Sequence, residues 1–356
     1  MTTYYVGIGG NDGSAGTSWA TRKLTLNGAE DIPVAAADTV YVGPGTYREL
    51  LTVDVSGTTG NPITYIGDYD GSMTDGVGGV VRITGSDNDQ TATRANCISS
   101  AGFNYRTFQG FTGDMSTGNM INLSSNCTNW IIQQCNFSSH VSNVIQISGT
   151  GGAHTIQNCL FLALKPSLSG IIFTHSSVYD NSANTVQNCV FVGAQDGILI
   201  TRVGGITVKN SIFMGIRFGG VRVGTAITVG QTETVNNCIF TGCITALQAT
   251  VAGEIVENYN TFWNNDTNRT NTNTGANSIT YPPLFDTRWF FELAGGKGRM
   301  LSPFDLASYS QLVNLAGTSP TTTDMRGTAV IGAQREWGVL EYDPALLFRR
   351  VIGRQV

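Results

Sequence analysis

Thr155-Ile156-Gln157-Asn158-Cys159-Leu160-Phe161 is a phrase that the chain repeats, as Thr185-Val186-Gln187-Asn188-Cys189-Val190-Phe191 and as Thr234-Val235-Asn236-Asn237-Cys238-Ile239-Phe240. Related copies end at Phe137 and Phe213, and a looser copy, interpreted as one residue longer, ends at Phe262. The phenylalanines follow one another at intervals of 22 to 30 residues. A β-type unit that returns about every 25 residues with elastic spacing is typical of a solenoid whose loops absorb insertions.

Stacking the copies turns each position of the phrase into a column along a parallel sheet. The second position is apolar and is expected to point inward, whereas the third is polar and faces water. The fourth position breaks this alternation. It holds Asn158, Asn188, Asn210 and Asn237. Because Asn tolerates the left-handed conformation of a sharp bend, and stacked amides can bond one coil to the next, we expect a corner there.

Cysteines follow this corner and are expected to turn inward as a ladder. They are Cys135, Cys159, Cys189 and Cys238, with Ser211 replacing one member. A bridge requires a partner, whereas a small buried thiol does not, so the ladder is expected to be unpaired. No pair of the seven cysteines has the spacing of a zinc site, and no metal site or cofactor is predicted.

A second set of strands is expected after each phrase, at residues 144–148, 170–174, 197–201, 220–224 and 246–250. Two strand columns joined by an asparagine corner, with longer loops, resemble the right-handed parallel β-helices of the pectate-lyase-like superfamily, in its bacterial and phage forms. The resemblance implies an all-β, single-stranded solenoid with an N-terminal cap and a C-terminal extension. It concerns an architecture and not one particular enzyme.

Four regions are expected along the chain. These are an N-terminal cap with entry coils (1–70), the parallel β-helix (71–285), closing coils (286–343) and an apolar, basic tail (344–356). Residues 23–37 have helical character and would cover the open end of the first coil. The tail contains Leu346, Leu347, Phe348, Arg349 and Arg350. Since apolar side chains are unfavourable in water, the tail is expected to cover the other end or to dock on a neighbouring subunit.

Composition excludes some classes of partner. The 356 residues include 44 glycines and 13% charged residues, with a formal charge of −5 and no basic stripe, which argues against nucleic acid. No stretch approaches the length of a membrane span, and no secretory leader is recognisable at the first residues. The expected location is therefore a virion assembled in a host cytoplasm, the alternative being a secreted or surface protein whose leader has been removed.

Catalytic residues are not evident on the two strand sets. Enzymes of the superfamily that the chain resembles act on acidic polysaccharides, and the resemblance implies clustered aspartates or calcium-binding carboxylates with a basic residue. Paired acids in glycoside hydrolysis lie about 5–10 Å apart, which is one or two coils. The second strand set shows no outward carboxylate, and the outward column of the phrase offers only Lys209 and Glu257. A third sheet could not be placed, so a groove there stays open.

A weaker set of polar residues falls near loop edges in consecutive coils. It consists of Asp180, Asp196, Arg202, Arg217 and Arg222, with His175 one coil before Arg202. These residues could line a glycan-binding or lyase cleft. The favoured alternative is that they are solvated loop and strand-end residues, and His140 and His154 are interpreted as loop residues and not as bases. Asp87, Asn88 and Asp89 could likewise hold calcium, but a solvated loop is the favoured interpretation.

Three functions are compatible with these features of the sequence. The first is a non-enzymatic structural protein of a phage particle, decorating a capsid or associated with a tail, that binds other virion proteins and itself, for example as a trimer. The second is a polysaccharide lyase or glycoside hydrolase. The third is a surface adhesin that binds polysaccharide.

Overall fold

Three parallel sheets wind around one hydrophobic interior. A computed structural model describes residues 1–32, 34–138, 141–162, 168–174, 183–202, 204–225 and 231–283, together with two short strands beyond them. Each turn of the chain contributes one strand to each sheet, and every pair of neighbouring strands in the three sheets is parallel. This arrangement confirms the β-solenoid expected from the repeat.

The strands of the three sheets are as follows. Sheet A contains Thr3–Val6, Thr39–Val42, Ile63–Gly67, Arg106–Gln109, Trp130–Gln133, Thr155–Gln157, Thr185–Gln187, Thr207–Lys209, Glu233–Asn236 and Ile255–Asn258. Sheet B contains Gly45–Tyr47, Val81–Thr84, Thr112–Asp114, Asn136–Ser138, Leu160–Leu162, Val190–Val192, Ile212–Met214, Ile239–Thr241 and Thr261–Trp263. Sheet C contains Leu51–Val53, Ile98–Ala101, Ile121–Ser124, Ile145–Ser148, Ile171–Thr174, Asp196–Thr201, Gly219–Thr225, Thr245–Gln248 and Thr267–Thr270. A 3₁₀ turn at Trp19–Thr21, a helix at Leu26–Glu30 and an antiparallel pair, Phe291–Ala294 with Lys297–Met300, complete the described elements.

The repeated phrase forms two sheets and not one. In the copy that begins at Thr155, the first three residues belong to sheet A, Asn158 and Cys159 form the bend, and Leu160–Leu162 belongs to sheet B. The second strand set is sheet C. The third sheet that could not be placed from the sequence is therefore sheet B, which lies inside the phrase itself.

The bend depends on left-handed backbone at the fourth position of the phrase. Asn158, Asn188, Asn210 and Asn237 have φ of 56°, 53°, 51° and 56°. The backbone N–H of each donates to a carbonyl of the next coil, for example Asn158 to Gln187 at 3.2 Å. The Asn188 side chain also donates to Asn158 Oδ1 at 3.1 Å. The four amides thus stack one per coil at the corner between sheets A and B.

A second amide ladder lies on the outer face of sheet A. The Nε2 groups of Gln133, Gln157 and Gln187 each donate to the glutamine of the preceding coil, beginning at Gln109, over 2.8, 2.7 and 2.6 Å. Stacked side-chain amides of this kind link parallel strands in register. The column therefore links coils along the outer face, whereas the sequence predicted only that it faces water.

Stacked phenylalanines fill the interior behind sheet B. Rings of successive coils from Phe137 to Phe262 have centroids 4.5–5.3 Å apart, and the last four pairs are within 8° of parallel. Glycines at the start of sheet C make room for these rings, since a Cβ on Gly197 would lie 2.5 Å from the ring of Phe213. The column of glycines and the column of phenylalanine rings are thus complementary in size, which explains why glycine occurs inside strands.

The seven cysteines are all free and buried, and they are expected to be unreactive in the folded protein. Burial raises the pKa of Cys97, Cys238 and Cys243 to about 12, and raises the pKa of Cys135 and Cys159 well above its usual value. Since the thiolate is the reactive form, we expect fewer than one thiol to react with Ellman's reagent at pH 8 before unfolding, and all seven to react in guanidinium. Fast reaction of two or more native thiols would contradict this packing.

The N-terminal end of the interior is covered by the short helix. Leu26 and Ala29 are fully buried in the core, and the Thr25 side chain caps the helix by accepting from the Gly28 N–H at 2.8 Å. The helix covers only part of the expected range, residues 23–37. Its last residue, Glu30, pairs with Arg106, which lies 76 residues further along the chain.

Candidate functional site

The outer face of sheet C is mostly polar, with Ile172 and Leu199 as apolar members. Its side chains form three columns. The first lies at the start of the strands or two residues before it and contains Asn119, Asn143, Ser169 and Asp196; the second contains Gln146, Ile172, Leu199, Arg222 and Gln248; the third contains Ser148, Thr174, Thr201, Thr225 and Thr250. Hydroxyls of the third column bond to carbonyls of the preceding coil, as Thr201 does to Phe173 at 3.2 Å. Each such hydroxyl keeps acceptor lone pairs directed outward.

One charged pair stands in the middle of this face. Arg222 Nε and Nη2 donate to Asp196 Oδ1 and Oδ2, both at 2.7 Å, in a bidentate arrangement. The Asp196 side chain is 1% exposed and that of Arg222 is 17% exposed. Ser169 Oγ lies 3.4 Å from Asp196 Oδ2. The carboxylate therefore holds the guanidinium in one orientation on the surface of the sheet.

Exposed apolar side chains border the pair at the start of sheet C. Phe218 is 52% exposed, and its ring lies 5.2 Å from the guanidinium carbon of Arg222. Ile244, in the next coil, is 51% exposed, and Arg217 beside Phe218 is also exposed. An exposed ring, a fixed cation and a row of hydroxyls form a surface that can stack on a sugar ring and bond to its substituents.

The structure brings together only part of the glycan-binding set predicted from the sequence. Asp196 and Arg222 are in contact, and Arg217 lies at the same end of sheet C. Arg202 follows the strand Asp196–Thr201, so it lies at the opposite end of the sheet, six residues and about 20 Å from Asp196 along the strand. Asp180 lies outside the described residues. The same applies to His140, His175 and the tail residues Leu346, Leu347, Phe348, Arg349 and Arg350.

Glu257 does not face outward, which corrects the expectation for the phrase. It pairs with Val235 of the preceding coil and points inward, whereas Val256 points outward and is 53% exposed. The looser copy carries no extra residue. The sequence-based alignment was therefore shifted by one residue, which exchanged the inward and outward positions of Val256 and Glu257. The carboxylate accepts hydrogen bonds from Arg269 Nε at 2.8 Å, Asn260 Nδ2 at 2.7 Å, the Gly275 N–H at 2.6 Å and Ser278 Oγ at 2.5 Å. Arg269 lies over the ring of Phe262, so the pair closes the last coil of the stack.

Two further carboxylates in neighbouring coils were missed by the sequence analysis. Glu233 begins a strand of sheet A, and Glu254 lies just before the next strand. Glu233 Oε2 accepts from the Ile206 N–H at 2.6 Å, and Glu254 Oε2 accepts from the N–H groups of Thr250 and Val251. Burial and the nearby Glu254 raise the pKa of Glu233 to about 8. Because both side chains are buried, they act on stability and not on a bound polymer. The signal was a Glu immediately before the phrase, two residues from Val235 and therefore on the same inward face.

His154 is a buried structural residue. Its Nδ1 accepts from the Trp130 N–H at 3.3 Å, and its own N–H donates to Asn184 Oδ1 at 2.9 Å. The sequence placed it in a loop, and it does lie in the connection before the strand Thr155–Gln157, but it is buried.

The two carboxylates of the loop at Asp87–Asp89 form ion pairs with arginines. Asp89 pairs with Arg48 and Arg82, and Asp87 pairs with Arg94 at 2.5 Å. These pairs lower the pKa of Asp87, and that of Asp89 to about 2. Within the described ranges, no group of three His, Cys, Asp or Glu is placed to hold a metal ion.

Comparison with known proteins identifies the fold. No protein-family model matches the chain, and no curated protein matches its sequence. The crystal structure of a pectate lyase superposes with a TM-score of 0.64 at 15% identity, covering 96% of this chain and 97% of that one. A rhamnogalacturonan lyase gives 0.54 at 16% identity, with 74% of each chain covered. An alginate lyase from Paenibacillus sp. str. FPU-7 gives 0.51 at 15% identity, covering 78% and 96%.

These neighbours correct the first functional hypothesis. They are polysaccharide lyases, and they give no support to a virion, capsid or tail protein, so the expectation of a non-enzymatic particle component is wrong. That expectation depended in part on strand faces without a carboxylate, whereas Asp196 lies at the start of a strand of sheet C. No helix in the described part of the chain has the length and apolarity needed to cross a bilayer. The chain has the right-handed parallel β-helix fold of pectate lyase and related proteins.

Proposed function

We propose that this protein is a polysaccharide lyase that binds an acidic polysaccharide along the outer face of sheet C. The observation that carries the proposal is the Asp196–Arg222 pair beside the exposed ring of Phe218, on a fold whose similar structures include three polysaccharide lyases. An extended polymer suits this face because successive coils present the same polar columns at intervals of about 4.8 Å.

The residues have distinct roles in this proposal. Arg222 and Arg217 attract the carboxylate of a uronate residue, and Asp196 orients Arg222 through Nε and Nη2, which leaves Nη1 outside the pair. Phe218 supports the face of a sugar ring. A cation on the uronate carboxylate favours transfer of the neighbouring C–H proton to a base. The electron pair of that bond forms the C=C bond as the glycosidic C–O bond breaks, and a proton is returned to the departing oxygen, which leaves as a hydroxyl group. This elimination needs no added water.

Binding without cleavage is the second candidate. It is favoured because Asp196 is the one carboxylate among the described residues of the three outward columns of sheet C, and Arg222 already engages it. This candidate corresponds to a carbohydrate-binding surface protein.

The two candidates are separated by one assay. The purified protein is incubated with polygalacturonate, rhamnogalacturonan and alginate, with and without calcium, and the ultraviolet absorbance of new C=C bonds is followed. A rise in absorbance with one polymer supports the lyase. Retention of a polymer on affinity electrophoresis without any rise supports binding alone, and absence of both contradicts the proposed site.

Phe218→Ala is expected to weaken polymer binding about three- to tenfold, because an aromatic contact contributes roughly 0.5–1.5 kcal/mol beyond its buried area. Affinity electrophoresis measures the change. Phe218→Tyr keeps the ring and should bind as the original protein does. Trp263→Ala removes another exposed aromatic, 40% exposed on sheet B, and serves as the matched control. Equal losses in Phe218→Ala and Trp263→Ala would place the polymer elsewhere.

A further inference from the structure

The strand of sheet C that carries Arg222 contains an extra residue. Thr201 of the preceding strand pairs with Thr225, whereas an unbroken register would pair it with Gly224. Gly224 is therefore the inserted residue of a β-bulge, and it is exposed. A bulge changes the direction of nearby side chains and is common beside binding sites. This bulge lies two residues after Arg222.

Gly224 keeps the space beside Arg222 open. A Cβ at this position would lie 3.2 Å from Arg222 Nη1 and 2.9 Å from Leu199 Cδ1. The backbone of Gly224 does not have the positive φ that favours glycine, so its conformation does not explain the residue type. Any other residue would place its side chain over both atoms. Glycine therefore leaves the nitrogen and the methyl group accessible to a ligand.

The Arg222 side chain is fixed from two directions. Its Nε and Nη2 donate to Asp196, which leaves Nη1 outside the ion pair. Its aliphatic part passes over Gly219, where a Cβ would lie 2.8 Å from Arg222 Cβ. One glycine thus accommodates the stem of the side chain, and the other leaves the end of the guanidinium open. Nη1 is held ready to donate to an anion at the Gly224 opening.

Apolar side chains continue the Arg222 column on one side only. Leu199 pairs with Arg222, and Ile172 pairs with Leu199 in the coil before. Both are half-buried and alternate with buried neighbours along their strands, so they point outward. In the coil after Arg222 the same column holds Gln248. Because successive coils lie about 4.8 Å apart, one step along the column is comparable with the length of one sugar residue.

We propose that the polymer bound on sheet C is an acidic polysaccharide in which the uronate held by Arg222 is next to a sugar that carries a methyl group. The methyl group packs on Leu199 and Ile172, where a hydroxyl or a carboxylate would lose hydration without gaining a partner. A 6-deoxyhexose or a methyl-esterified uronate supplies such a group. This inference rests on the proposed function of sheet C and adds the substrate class.

Three polymers test the preference in the full chain. Polygalacturonate carries no methyl group, its partially methyl-esterified form carries ester methyls, and rhamnogalacturonan alternates a uronate with a 6-deoxyhexose. We expect affinity electrophoresis to show that a methyl-bearing polymer binds about three- to tenfold more tightly than polygalacturonate, the effect of burying one methyl group. The tighter of the two methyl-bearing polymers identifies the source of the group. Equal affinity for all three would overturn this inference and leave the proposed function in place.

Matched variants locate the methyl group. Leu199→Thr and Ile172→Thr remove the apolar contacts, and we expect each to bring the ratio of the dissociation constants for the two kinds of polymer close to one. Ile131→Thr makes the same change on the outer face of sheet A, between Thr107 and Thr155, and should keep the preference. A preference that survives Leu199→Thr, or is lost equally in Ile131→Thr, would overturn the assignment.

Arg222→Gln separates failure of this inference from failure of the proposed function. It should weaken all three polymers, because each contains a uronate carboxylate that Nη1 would bind. Gly224→Val should also weaken all three, since its side chain would cover Nη1. If neither variant changes any affinity, or if no polymer binds, the site on sheet C is itself wrong and the substrate class is overturned with it.

Discussion

Arg106→Met is expected to lower the free energy of unfolding by about 3–5 kcal/mol, because it leaves the charge of Glu30 buried without a partner. The side chains are 0% and 3% exposed, and the pair joins the N-terminal helix to the fourth strand of sheet A. Burial outweighs the attraction of Arg106 and raises the pKa of Glu30, so the carboxylate already lies in an unfavourable medium. Chemical denaturation at pH 7 measures the loss.

A second variant separates the lost charge from lost packing. Glu30→Gln with Arg106→Met removes both charges, and the Gln amide oxygen can still accept from the Tyr65 hydroxyl, which donates to Glu30 at 2.7 Å. We expect the double variant to recover most of the stability. If it is as unstable as the single variant, shape and not charge holds the cap. Arg82→Met breaks a more exposed pair and should cost less than Arg106→Met.

The repeat made much of the fold predictable. Because one phrase recurs with few changes, Ile156, Val186 and Val208 could be aligned as one inward column, and Asn158 and Asn188 as a corner. The structure pairs the members of each set. Local pattern is reliable here since each coil must match its neighbours along the whole sheet.

The prediction of side-chain direction failed where the copy of the phrase is imperfect. With Val256 and Glu257 both strand-compatible, the pattern could not say which faced inward, and the ion pair with Arg269 decided it. Asp196 was assigned to a loop edge because the strand begins one residue earlier than expected. At both positions an ion pair with an arginine stabilises a buried carboxylate, which would be unfavourable without a partner.

Long-range pairings could not be derived from the repeat. Glu30 and Arg106 are far apart in sequence and lie in segments without the phrase, so no periodicity relates them. By contrast, alternation from the inward Cys159 places Phe161 in the core and Leu160 and Leu162 outside it, as the structure shows.

Glu233→Gln is expected to stabilise the protein by about 3–5 kcal/mol at pH 9 and to have little effect at pH 4. The pKa of Glu233 is raised from 4.5 to about 8, chiefly by burial and then by Glu254, against the hydrogen bond from Ile206. The folded state therefore binds this proton more tightly than the unfolded chain does. Its contribution to stability is complete below pH 4.5 and is lost as the pH rises to about 8, at roughly 1.4 kcal/mol for each pH unit between the unfolded and the folded pKa.

Guanidinium unfolding of both proteins at pH 4, 6 and 9 checks this sign. Gln is neutral at every pH and its amide oxygen can accept from Ile206, so the variant should lack the loss of stability that the original protein shows between pH 4.5 and 8. Asp87→Asn is the contrasting control. Its carboxylate has a lowered pKa because of Arg94, so its contribution is present above the unfolded pKa and lost on acidification. Removing it should weaken the protein at pH 9. Identical pH profiles for the original protein and Glu233→Gln would mean that Glu233 reaches water in solution, and that the corner between sheets C and A is more open than its packing indicates.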